Sequence, residues 1–262
     1  MTRGNRPGPA AVRGRRSAFV PSAVLAILGL CLAAPAFAQP GDPAPAGWQV
    51  EIIPYFWLPG ITGDIQAGEE SASIGASFSD LLNSLDFGLM GMVQVRKGRV
   101  GFIFDGMYAR LTKDGESTGI AGRTVHSEIV TQLYSFAVSY RAFEFLYVVG
   151  GARVMPVSAA LEMTSGALED QQASGSNTVL DGFVGARLEV PLTRRWMIEC
   201  YGDIGAGDSK LSWQTLAGLK FGLSKSVALE LGFRTLAIHN EAPDLQTKFV
   251  EGGFFFGAGF KL

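Results

Sequence analysis

Leu180-Asp181-Gly182-Phe183-Val184-Gly185-Ala186-Arg187-Leu188-Glu189-Val190 is the stretch whose reading decides the fold. Its even-numbered residues are apolar or small, and its odd-numbered ones carry Asp181, Arg187 and Glu189. Successive side chains of a strand point to opposite faces, so this period of two describes a strand between two unlike environments. The same alternation sets Val227, Leu229, Leu231 and Phe233 against Ala228, Glu230, Gly232 and Arg234. Leu211, Trp213, Ala217, Leu219 and Phe221 oppose Ser212, Gln214, Gly218, Lys220 and Gly222. The final segment sets Val250, Phe254, Phe256, Ala258, Phe260 and Leu262 against Glu251, Gly253, Gly257, Gly259 and Lys261.

Carried along the chain, the pattern predicts strands near 48–58, 86–96, 100–112, 126–140, 145–163, 178–190, 196–206, 210–222, 226–238 and 248–262. Short turns fall at Lys97–Arg99, Arg141–Glu144, Pro191–Arg195 and Leu223–Lys225. Longer loops fall at Pro59–Leu85, Lys113–Val125, Thr164–Asn177 and His239–Thr247. Gly207–Ser209 is a short connection where the alternation calls for a long one. Alternating short turns and long loops are the habit of outer-membrane barrels. The expected fold is all-β, a transmembrane antiparallel up-and-down barrel of ten strands, with eight or twelve as alternatives, and both termini at one end.

A soluble sandwich or lipocalin-like barrel would turn its apolar face inward and its charges to water. The charged faces here are rich in glycine, which suits a crowded lumen. Trp48 and Trp196 fall at one end of their strands and Trp57 and Trp213 at the other, as an aromatic girdle at two membrane interfaces would have it. Lipid offers no hydrogen-bond partners, so the sheet has to close. Pro54 and Pro156, with no edge to occupy, are expected at bulges. Gln132 sits unexplained on an apolar face with Tyr134, Phe136 and Val138.

The amino terminus is a targeting signal. Arg3, Arg6, Arg13, Arg15 and Arg16 precede an apolar stretch from Ala23 to Ala34, then Ala36-Phe37-Ala38. That grammar predicts a signal peptide over 1–38, cleaved before Gln39. The stretch is shorter than the ~20 residues a spanning helix needs. Pro40, Pro43 and Pro45 make 39–47 a stiff periplasmic tether, and 48–262 is one barrel domain. The signal removes five of the 22 basic residues and none of the 24 acidic ones, so the mature chain carries a formal charge of −7. That balance argues against a nucleic-acid partner.

Ser77-Phe78-Ser79-Asp80-Leu81-Leu82, Leu85-Asp86-Phe87-Gly88, Arg96-Lys97-Gly98, Asp105 and Tyr108 resemble a family of uncharacterised bacterial outer-membrane β-barrel proteins. The resemblance covers the first three strands and implies location and fold, since that family has no assigned activity. The apolar carboxyl end is similar to the terminal strand read by the barrel-assembly machinery, with Leu262 where an aromatic residue is usual. Expected partners are therefore outer-membrane lipid and lipopolysaccharide, with the assembly machinery and periplasmic chaperones during biogenesis.

Taking the polar faces inward gives the lumen acids Glu51, Asp105, Asp181, Glu189, Glu199, Asp203, Glu230 and Glu251 and bases Arg96, Arg153, Arg187, Lys220, Arg234 and Lys261. The two signs nearly balance, whereas a selective pore favours one. Hairpin counting pairs Arg187 with Glu199 and Lys220 with Glu230. Arg234 with Glu251, and Glu51 with Lys261, are further expected pairs. Charges confined in a narrow lumen have to be paired, so the expectation is a salt-bridged plug, with a thin path for small solutes as its variant. His126 and His239 are the only histidines. Rim histidines serve omptin proteases and lipid A deacylases, but strand parity turns Ser127 away from His126 and Glu128, and His239 has no local partner in the sequence. No catalytic residue, metal cluster, phosphate-binding glycine loop or cofactor is expected. Ser77–Asn83 reads as a short helical turn. The function expected is a structural or narrow-permeation barrel. The alternatives are a rim enzyme acting on lipopolysaccharide or peptides, and an adhesive barrel using its external loops.

Overall fold

The computed structural model describes residues 47–67, 70–116, 123–165, 171–242 and 245–262. The signal peptide and most of the tether lie outside them. The strands are β1 (Gln49–Ala67), β2 (Glu70–Ala76), β3 (Leu85–Lys97), β4 (Val100–Glu116), β5 (Arg123–Arg141), β6 (Leu146–Ser165), β7 (Gln171–Pro191), β8 (Trp196–Gly207), β9 (Leu211–Gly222), β10 (Val227–Ala242) and β11 (Leu245–Lys261); one helix, α1 (Phe78–Ser84), precedes β3. Each wall strand pairs antiparallel with its chain neighbour, and β11 returns to pair with β1 from Glu51↔Lys261 to Gln66↔Gln246, which closes the barrel. Ten strands make the wall. β2 stands outside it, paired only to the far half of β1 from Ile61 to Ala67.

Alternation places the apolar faces outward. Val184, Leu229, Leu231, Phe233, Phe254 and Phe256 are exposed, while Asp181, Arg187 and Arg234 are buried on the opposite face. Large exposed apolar side chains on ten consecutive strands form a lipid-facing belt. Among the described residues no helix is long and apolar enough to cross a membrane. The described ends, Gly47 and Leu262, and the short turns share one end, here the turn end. There Gly98 adopts φ 58°, the left-handed conformation that lets β3 and β4 join through two residues.

Several expectations need correction. The stretches expected as loops at the other end, the loop end, are largely strand: β5, β6 and β7 run 19, 20 and 21 residues. A tilted strand crosses a bilayer in roughly 9–11 residues, so the wall continues beyond the belt. These extensions are polar and lack an apolar signal. Nor do Pro54 and Pro156 sit at bulges. Each removes a ladder hydrogen bond without shifting register: pairing skips from Ile52↔Phe260 to Tyr55↔Gly257, and from Thr131↔Val157 to Tyr134↔Val154. The bulge lies elsewhere, between Leu85 and Phe87. The short loop-end connection after β8 is pinned by acids: Asp181 accepts from the Ser209 hydroxyl at 2.5 Å and backbone N–H at 3.0 Å, and Asp208 accepts from Leu180 N–H at 2.9 Å.

Candidate functional site: the lumen and the rim

Three strata fill the lumen. The floor, nearest the turn end, is ionic. Arg187 Nη2 lies 2.8 Å from Glu199 and its Nε 3.1 Å from Glu189. Arg96 reaches Glu189 at 2.5 Å and donates to Gln94 at 2.5 Å. Lys220 lies 2.6 Å from Glu230 and 2.7 Å from Glu51. Register puts Lys220 opposite Glu230. Arg187 stands opposite Tyr201, however, with Glu189 facing Glu199. Its guanidinium therefore lies diagonally between two carboxylates that would repel if left alone.

The middle stratum is two Arg–Asp–Tyr clusters. Arg234 donates to Asp105 at 2.8 Å, to Tyr55 Oη at 2.8 Å and to Gln214 at 3.0 Å, while Tyr55 donates to Asp105 at 2.6 Å. Arg153 and Tyr201 each donate to Asp203 at 2.6 Å. A cavity of about 50 Å³ separates them from the floor, touching Asp105, Ser135, Arg153, Glu199 and Tyr201. By volume it holds a water or two and excludes a sugar or an amino acid.

Above lies an apolar stratum. Tyr55, Trp57, Met107, Leu133, Met155, Leu236 and Phe255 are buried together, with Met90, Met92, Val179, Leu216 and Ile238 against them. Arg234 sits 5.0 Å from the Trp57 ring, a cation–π contact joining middle to top.

Two expected pairs do not form. Arg234 takes Asp105 instead of Glu251, because Glu251 lies opposite Ile61 and Leu236, beyond Arg234's level. Glu51 turns to Lys220 across the lumen although Lys261 is its direct register partner, since Lys261 is exposed at the turn end. Trp57 is no girdle residue: it is 2% exposed inside the lumen. It shares parity with Glu51, and counting by twos along β1 would have placed it there. Trp48 and Trp196 are exposed at the turn end and Trp213 is partly exposed on the outer face toward the loop end. The loop-end girdle also holds Tyr108 and Tyr134. This accounts for Gln132, whose Oε1 accepts from Tyr134 Oη at 2.8 Å at that boundary.

At the rim His239 Nε2 lies 3.2 Å from a Glu241 oxygen without hydrogen-bond geometry, and Glu241 binds Lys210 at 2.5 Å. The pair sits on the outer face, where the odd residues of β10 point. His126 faces Asp114 and Glu162 in register, with Ser127 on the opposite face donating to the Lys113 carbonyl at 2.9 Å. Among the described residues no group of three His, Cys, Asp or Glu side chains forms a metal site.

No protein-family model matches the chain, and no curated protein does. Solved structures do. The outer membrane protease OmpT from Escherichia coli overlaps with TM-score 0.51 at 6% identity, over 85% of this chain and 99% of that one. Ail, the attachment invasion locus protein of Yersinia pestis, overlaps with TM-score 0.37 at 12% identity, over 83% and 100%. The translocator domain of the autotransporter NalP from Neisseria meningitidis gives TM-score 0.35 at 11% identity, over 91% and 95%. The OmpT overlap shows the fold: an outer-membrane β-barrel.

Proposed function

We propose that this chain is a non-enzymatic protein of the bacterial outer membrane whose lumen is sealed. Its external wall, not a pore, would be the surface that works. One observation carries the reading. Each of five basic side chains in the lumen, four of them buried and Arg96 partly so, lies within 3.1 Å of a carboxylate, and an apolar stratum spans the barrel above them. Ions so paired are structural ties, and breaking one strands its partner in a confined space. The turn end then faces the periplasm, and the long β4–β7 hairpins project outward. Membrane lipid and lipopolysaccharide surround the belt, and assembly machinery delivers the barrel there.

Sealing is tested by placing a thiol at Ser135, which is buried beside the cavity. In vesicles Ser135→Cys should take up no more of a charged, membrane-impermeant thiosulfonate, from either side, than the unmodified protein does. An exposed control, Lys210→Cys, should label fully. Rapid labelling of Ser135→Cys would show a water path and overturn the reading.

A further inference from the structure

The barrel wall has a weak place. β1 pairs with β3 only from Gln49↔Arg96 to Pro54↔Gly91. Past Pro54 the far half of β1 turns to β2 instead, beginning at Ile61. Between these points, among the described residues, β1 and β3 share no ladder pairing. The Trp57 N–H donates to Met90 Sδ at 3.2 Å, so a flexible side chain closes the wall where backbone would otherwise do so. In lipid every backbone polar group needs a partner inside the protein. A thioether is a weak acceptor on an adaptable stem, and that makes this seam the place where the wall can part.

Both sides of the seam are apolar. Outside, Phe56, Phe87 and Leu89 face lipid at 57%, 54% and 66% exposure. Inside lie Trp57, Met90 and the rest of the apolar stratum. At the loop-end boundary a cation stands beside it, on β4 across β3 from the seam. Arg110 is the cross-strand neighbour of Phe87, exposed, hydrogen-bonded to Tyr108 Oη at 3.3 Å and only loosely held by Glu128 at 3.9 Å. A positive charge at the interface, one strand over from a hydrocarbon-lined cleft, matches one kind of molecule: an amphiphile with an anionic head and an apolar tail.

We propose that the β1–β3 seam is a lateral port that admits the hydrocarbon chain of a phosphate-bearing outer-leaflet lipid into the methionine-lined stratum, with Arg110 holding its phosphate. This rests on the membrane orientation proposed above. A free polar solute is excluded by the lining, and entry along the axis is unnecessary because the seam opens sideways into the bilayer. Methionines suit the inner lining, since they repack around a chain without a fixed shape.

The test uses Trp57 as the reporter. A protein with Trp48, Trp196 and Trp213 changed to Phe is placed in phosphatidylglycerol vesicles with brominated acyl chains, which quench tryptophan at short range. The port predicts that Trp57 emission falls relative to unbrominated vesicles, although the side chain lies inside the wall. Met90→Ala should roughly double that loss by thinning the closure. Met155→Ala, an equal truncation in the same stratum on β6, should leave it unchanged. Arg110→Ala should reduce it. Unquenched Trp57, equal responses of the two methionine variants, or indifference to Arg110→Ala would each overturn the assignment. A companion protein retaining only Trp213 separates the two readings. Trp213 faces lipid and must be quenched in any membrane-embedded barrel, so its silence would strike the membrane reading itself.

Discussion

Arg187 is the residue on which the floor turns. It lies between Glu189 and Glu199, which the register sets directly opposite each other. Arg187→Ala therefore leaves two facing carboxylates with Arg96 and Lys220 as the nearest cations. The expected cost is about 3–5 kcal/mol in denaturant unfolding, the scale for breaking a buried pair. Glu199→Gln should cost less, because Arg187 keeps Glu189. A double-mutant cycle between positions 187 and 199 should give a clear coupling energy; additivity would show that the two side chains do not meet. Sequence reasoning brought Arg187 and Glu199 together by counting out from the turn, yet it missed the diagonal, since a Pro191–Arg195 turn is centred on Thr193 whereas the Pro191↔Met197 pairing centres it on Arg194. It missed the middle clusters for a different reason. Asp105 and Arg234 are 129 residues apart and meet across the lumen, which no local pattern encodes.

At the scale of elements, outward and inward faces were legible wherever apolar and charged residues alternate. Leu231 is 59% exposed on β10, midway between Val227 and the boundary near Ala237. Leu231→Arg should cost ~2–4 kcal/mol in lipid, as arginine does at the bilayer midplane of a barrel, and unchanged unfolding would reverse the assignment of faces. The first long connection was less legible. Its short helix was readable from Ser77 and Asp80, but β2 was hidden in a polar, small-residue stretch. α1 is held by a capping box in which the Ser77 hydroxyl accepts from Asp80 N–H and Asp80 accepts from Ser77 N–H. The hydrogen bond from the Ser77 hydroxyl, then that from its backbone, hold the Asp80 carboxyl below the usual range. A depressed folded value means that the cap contributes fully above the ordinary carboxylate pKa and is lost as pH falls through the lowered one. Amide exchange in α1 should thus stay slow at mildly acidic pH and quicken only in stronger acid, while in Asp80→Asn it should show no such step. A step retained in Asp80→Asn would assign the titration to another group.

For the molecule as a whole, closure of the sheet and the proposed sealing of its lumen have separate causes. Closure comes from the β1–β11 ladder, where the strands approach so closely that a Cβ at Gly253 would run into the Leu58 carbonyl. The seal we propose is made by the strata: an ionic floor, two Arg–Asp–Tyr clusters and an apolar lid of methionines and aromatics. The apolar lid could not be read from composition, because its residues are scattered over nine strands and share only their inward parity. The ten-strand count and the closed sheet were legible, since every wall strand repeats the same two-residue period. Current through the purified protein in a planar bilayer tests the sealed lumen most directly. A sealed lumen gives no steady single-channel conductance at either polarity, and a steady ohmic current from the unmodified barrel would contradict it.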